Sequence, residues 1–75
     1  MSRPEVTGEH LRVLRVSQGV TQRVLAARLW VRIATISDRE NGRTPLRWEH
    51  WCAACCVLGL TDPAATFTAV VSRLD

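Results

Sequence analysis

Two apolar-periodic stretches, Thr21–Leu29 and Arg32–Arg39, are separated by Trp30 and Val31 alone. Thr21 is a good N-cap residue, and Val24, Leu25 and Leu29 follow it at helical spacing. Asn41-Gly42 gives the second stretch a strong helix-stop signal. Two helices joined this tightly must cross at close range. Ala26 is small where such a crossing needs it, since a larger side chain would push the helices apart. Leu25, Leu29, Val31 and Ile36 can converge on one side, leaving the opposite face of the second helix free.

The flanking sequence extends the same pattern. A segment from about Glu9 to Gln18 carries Leu11, Leu14 and Val13 as its apolar face, with Thr7 or Gly8 as cap and Gly19 as stop. A fourth opens at Thr44-Pro45, with Thr as cap and Pro at the first helical position, and runs through Trp48, Trp51, Cys52, Cys55 and Leu58 to Gly59. A fifth repeats the cap-then-proline pattern at Asp62-Pro63 and continues to about Leu74. Short joints between five helical segments, with no convincing strand, imply an all-α, compact five-helix bundle. At 75 residues the chain is expected to be one domain, 1–75, without room for a core plus a deep active-site pocket.

Charge is distributed unevenly. All ten basic residues are arginine, and Arg23, Arg28, Arg32, Arg39, Arg43 and Arg47 face only Asp38 and Glu40 within the same stretch. Such a local positive field suits a polyanion, although a solvated charged face would read the same way. The longest apolar run, Trp51–Leu60, has ten residues where a bilayer span needs about 20. Met1–Glu5 has no apolar signal-peptide core, so a cytoplasmic protein with reduced cysteines is expected.

The matching positions Thr21-Gln22, Leu25-Ala26, Leu29, Val31, Ile36 and Glu40-Asn41-Gly42-Arg43 bring in a resemblance. Leu11, Leu14 and Arg15 upstream and Leu58-Gly59-Leu60 downstream add to it. Over roughly positions 11–60 the chain resembles the XRE family of helix-turn-helix proteins, which includes the phage lambda-type and Cro repressors. The resemblance implies a helix-turn-helix at about 21–40 whose second helix reads double-stranded DNA in the major groove. It implies a phosphate contact for Gln22, with Arg23 in the same DNA-facing set. Ile33, Ala34, Thr35 and Asp38 fall where the family reads base edges. Arg32 could reach a guanine or a phosphate, and Asn41 and Arg43 fall where backbone contacts lie. Arg15 and Glu40 match a structural ion pair between the first helix and the end of the third.

Three positions depart from the family. Trp30 stands where the turn usually has Gly, Arg32 replaces a Ser or Thr cap, and Arg39 replaces an apolar residue. A positive φ at Trp30 would cost about 1–2 kcal/mol relative to Gly, and the lost cap about 1 kcal/mol. Ile33 and Ala34 would read thymine methyls, and Asp38 would accept from cytosine N4.

Other residues read as structure. Cys52, Cys55 and Cys56 supply three thiolates of one helix beside His50, whereas a structural zinc site wants four ligands, usually from two separated pairs. Core packing of Cys52 and Cys55, with Cys56 at the rim and no metal or cofactor, is expected. Trp48 and Trp51 look like core anchors, and His10 like a solvated surface residue. No catalytic constellation has suitable spacing, so an enzyme is not expected. Phe67, Val70, Val71 and Leu74 form a helical stripe, with Phe67 read as inward and Val70, Val71 and Leu74 as a homodimer interface. The expected function is a homodimeric repressor on a palindromic operator. Alternatives are the DNA-binding antitoxin of a toxin–antitoxin pair, or an adaptor that keeps the fold for a protein partner.

Overall fold

The computed structural model describes residues 5–74, which form five α-helices and, among the described residues, no strand. These are α1 (Gly8–Ser17), α2 (Gln22–Leu29), α3 (Ile33–Glu40), α4 (Trp48–Val57) and α5 (Pro63–Leu74). The third helix packs on α1 and α2, while α4 packs on α2 and α5 closes over α1 and α4. Leu11, Leu14, Leu25, Ala26, Ile36, Trp51, Ala54, Cys55 and Val70 fill one shared core, with Val6 and Leu46 at its margins. No described helix is long and apolar enough to cross a membrane.

Local chemistry sets most helix limits. Thr21 Oγ1 accepts from the Val24 N–H at 3.1 Å, and Asp62 Oδ1 accepts from the Ala65 N–H at 3.1 Å. The first four helices all stop in the same way. A backbone N–H just past the end returns to a carbonyl five residues earlier: Val20 to Arg15, Val31 to Ala26, Arg43 to Asp38 and Leu60 to Cys55, at 2.9–3.2 Å. This closure forces the preceding residue into the left-handed region, ordinarily a glycine position. Gly19, Gly42 and Gly59 occupy three of these sites; Trp30, at φ 59°, occupies the fourth. The strain expected of a tryptophan there, about 1–2 kcal/mol, is therefore present.

Other expectations need correction. The fourth helix begins at Trp48, not at Thr44-Pro45. The Arg43 and Thr44 N–H groups are both taken by the Asp38 carbonyl, so this stretch finishes α3, and Leu46 must then reach the core before α4 can start. Val24 is 39% exposed and Val70 only 3% exposed. Val70 thus belongs to the protein's own core, leaving Val71 and Leu74 as the outward part of the α5 stripe. His10 is not a solvated bystander. Its Nδ1 accepts the Thr7 N–H at 2.9 Å, and its ring lies edge-on to Phe67 at 4.9 Å. Trp48 and Trp51 approach Phe67 at 5.8 and 5.7 Å, and the Trp51 indole N–H donates to the Pro63 carbonyl at 2.9 Å. This aromatic group clamps α5 onto α1 and α4.

Gly8 is present for a reason its place near a helix start did not reveal. A Cβ there would overlap the Arg39 carbonyl and lie 2.9 Å from Glu40 Cα. The start of α1 therefore presses directly on the end of α3.

Candidate nucleic-acid interface

The third helix turns Ile36 and Glu40 inward. At 100° per residue, Ala34 and Asp38 fall opposite them, with Thr35 and Ser37 on the flanks. Ala34 is exposed, Thr35, Ser37 and Asp38 are half-exposed, and Ile33 at the first turn is 39% exposed. Of the face expected for Ile33, Ala34, Thr35 and Asp38, the last three are thus open to solvent on the outward side of α3, whereas Ile33 lies on the stripe of Ile36 and Glu40 and is exposed because it opens the helix.

What holds this face outward is an ionic brace. Arg15 Nε donates to Glu40 Oε2 at 2.7 Å and its Nη2 donates to Oε1 at 3.1 Å. The same guanidinium donates to the Val20 carbonyl at 2.9 Å, tying α1 and the loop after it to the end of α3. Glu40 is 8% exposed overall, so its charge depends on these partners. The fork-on-fork geometry is the strong form of such a pair.

Gln22 joins the brace. Its Nε2 donates to Glu40 Oε1 at 3.1 Å, so the side chain is half-buried and turned inward. A phosphate contact from this position would then fall to the second amide proton or to the backbone N–H groups of the first turn, which have no intrahelical acceptor. Gln22 and Ile33 share one shallow cleft of about 580 Å³ with Arg15, Val16, Val20 and Arg23. Residues eleven apart in sequence therefore meet at the N-terminal ends of α2 and α3.

Arg32 is the N-cap residue of α3 and makes no side-chain cap bond. Its guanidinium is exposed, as are those of Arg23, Arg28 and Arg47. At the other end of α3, Arg43 Nη1 lies 3.6 Å from Asp38 Oδ1 and remains 75% exposed. A carboxylate facing a polyanion is unfavourable unless a cation stands beside it, and Arg43 supplies one. Asn41 is exposed and donates to Ser37 Oγ at 3.3 Å. Ser37 is the polar residue of this face that the sequence reading passed over; its signal is its place one turn from both Ile33 and Asn41.

The cysteines lie away from this surface on α4. Cys55 is buried, Cys52 is half-buried and Cys56 is exposed. Burial, with a smaller effect of Cys52 nearby, pushes the Cys55 thiol up to about 11, which keeps it protonated in the core.

A family model for the helix-turn-helix domain matches the sequence over residues 7–67, the stretch that holds the open helix face, its brace and the tightly joined helix before it. This chain belongs to that family. The match takes in α1 to α4 and the first turn of α5, so the brace, the turn and the outward face all lie inside it. The family is one of DNA-binding proteins, in agreement with the XRE-like pattern of the sequence. No solved structure matches the chain.

Proposed function

We propose that this helix-turn-helix protein is a sequence-specific transcriptional regulator of the cytoplasm. It binds a palindromic operator as a homodimer and represses by occluding polymerase. The observation that carries the reading is the α3 surface: an open face of Ala34, Thr35 and Asp38, with Ile33 exposed at its leading end, between exposed arginines and held out by the buried Arg15–Glu40 pair.

A helix of this diameter fits the B-DNA major groove, about 12 Å wide. Ile33 and Ala34 are suited to thymine methyls, and Asp38 to the N4 amino group of cytosine. Arg23, Arg32, Asn41 and Arg43 then lie along the phosphates on either side and position the helix without reading sequence. Val71 and Leu74 on α5 form the apolar part of the proposed two-fold contact. Beside them a groove of about 420 Å³, lined by Val13, Val16 and Arg73, runs between α1 and α5.

Selection from a random duplex pool, followed by titration over a salt series, tests the proposal. Log affinity should fall linearly with log salt, with a slope of about one per phosphate contact. In a second round of selection, Asp38→Ala should relax the preference at one base position and leave the others unchanged. A protein that retains no duplex at low salt is not this regulator, and the surface would then serve a protein partner.

A further inference from the structure

Among the described residues the backbone makes the same helix-ending closure four times, and one of the four lacks glycine. At that one, Trp30 adopts φ 59° and leaves its side chain 92% exposed. Both features are unfavourable in the free protein. The left-handed conformation strains any residue with a Cβ, and an indole is the largest apolar surface a side chain can leave in water. Glycine would remove both costs and keep the two hydrogen bonds of the turn, Trp30 N–H to Ala27 O at 3.2 Å and Val31 N–H to Ala26 O at 3.0 Å. Packing offers no reason for the tryptophan, because the ring packs against almost nothing.

The surroundings identify what could cover it. Between Glu9 and Asp38 the sequence contains no acidic residue. Arg23, Arg28 and Arg32 in that interval are exposed, and the ion pairs found among the described residues, Arg15–Glu40 and Arg43–Asp38, do not involve them. Arg28 and Arg32 stand two residues to either side of the indole, and this excess of positive charge favours an anionic occupant over a second copy of this basic surface. Trp30 also stands two residues before Arg32, the N-cap of α3. A helix 10–12 Å across nearly fills a groove about 12 Å wide. A residue just outside the entering end must therefore meet the groove wall, which is sugar and phosphate.

We infer that Trp30 is a DNA-contact residue that lays its ring on the deoxyribose edge of the groove, with its indole N–H directed to a phosphate oxygen and Arg28 and Arg32 on the adjoining phosphates. This rests on the DNA-binding reading above and adds to it a contact outside the base-reading face. The contact extends the footprint beyond the bases that α3 can reach and is indifferent to their identity.

The test is Trp30→Gly, because stability and affinity should move in opposite directions. The free variant should melt about 5 °C higher, as relief of left-handed strain in a domain this small predicts. Its affinity for a duplex recovered by selection with the wild-type protein should fall about tenfold. Hydroxyl-radical protection should disappear at the sugars flanking each half-site, with the preferred sequence unchanged. Trp30→Phe, which keeps a flat ring in the same turn, should recover part of the affinity. Wild-type affinity and an unaltered footprint for Trp30→Gly would overturn the inference while leaving the regulator reading intact. A reduced sedimenting mass of Trp30→Gly with wild-type affinity per protomer would assign the ring to a second copy instead. Failure of the wild-type protein to bind any duplex would remove both readings.

Discussion

At the starts of α1 and α4 an imidazole takes the role usually given to a Glu or Gln side chain three residues into a helix. His10 Nδ1 accepts the Thr7 N–H at 2.9 Å, and His50 Nδ1 accepts the Arg47 N–H at 3.1 Å. An accepting Nδ1 requires the neutral ring with its proton on Nε2. For His50 the surroundings favour that state. Burial first, and then the Arg39 and Arg47 charges, hold its pKa below 6.5, and Glu49 opposes them only in part. The unfolded chain therefore binds the proton more readily than the folded one. Stability from this residue is complete above the unfolded value near 6.5 and is lost as pH falls through the lower folded value. Urea unfolding from pH 7.5 to pH 5 should show that decline. His50→Gln, which can still accept the Arg47 N–H, should flatten the decline. An unchanged slope in the variant would assign the acid sensitivity to another group. Neither histidine was legible as a cap in the sequence, because its residue type gives no capping signal and His10 read equally well as a surface residue.

At the scale of elements, the decisive object is the tie between α1 and α3. Arg15 and Glu40 are 25 positions apart, and the carboxylate is 2% exposed in its side chain. Arg15→Met would strand a buried charge and leave the Val20 carbonyl without its partner. A loss of about 3–5 kcal/mol in unfolding free energy is expected. The double variant Arg15→Met/Glu40→Leu should recover a substantial part, because an apolar pair does not carry the desolvation penalty of a lone carboxylate. A double variant as unstable as the single one would show that the pair is not the source of the loss. The helices themselves were largely legible. Thr7, Thr21 and Asp62 mark starts, and Gly19, Gly42 and Gly59 mark ends, through contacts spanning five residues or fewer. The start of α4 was not legible, since Thr44-Pro45 carries a correct local signal that the closing turn of α3 and the burial of Leu46 override.

For the whole molecule the question is how two copies would meet. The protein measures 32 × 25 × 21 Å, so its long axis is commensurate with the roughly 34 Å between successive major grooves on one face of DNA. Val71 is half-buried and Leu74 is 39% exposed at the end of α5, where a two-fold contact would add to their cover. Val71→Asp should shift sedimentation toward the monomer and make operator binding steeper in protein concentration; an unaltered mass would place the interface elsewhere. The sequence by itself determined the helix count, the tight joint between α2 and α3, and the arginine-rich character of that region, because caps, stops and apolar spacing act through near neighbours. Only the tertiary structure decided that Val70 turns inward and Val24 outward, that Gln22 is drawn into the Arg15–Glu40 brace, and that Trp30 is left facing solvent. Those outcomes depend on which surfaces the helices cover when they pack, and that is settled by residues distant along the chain.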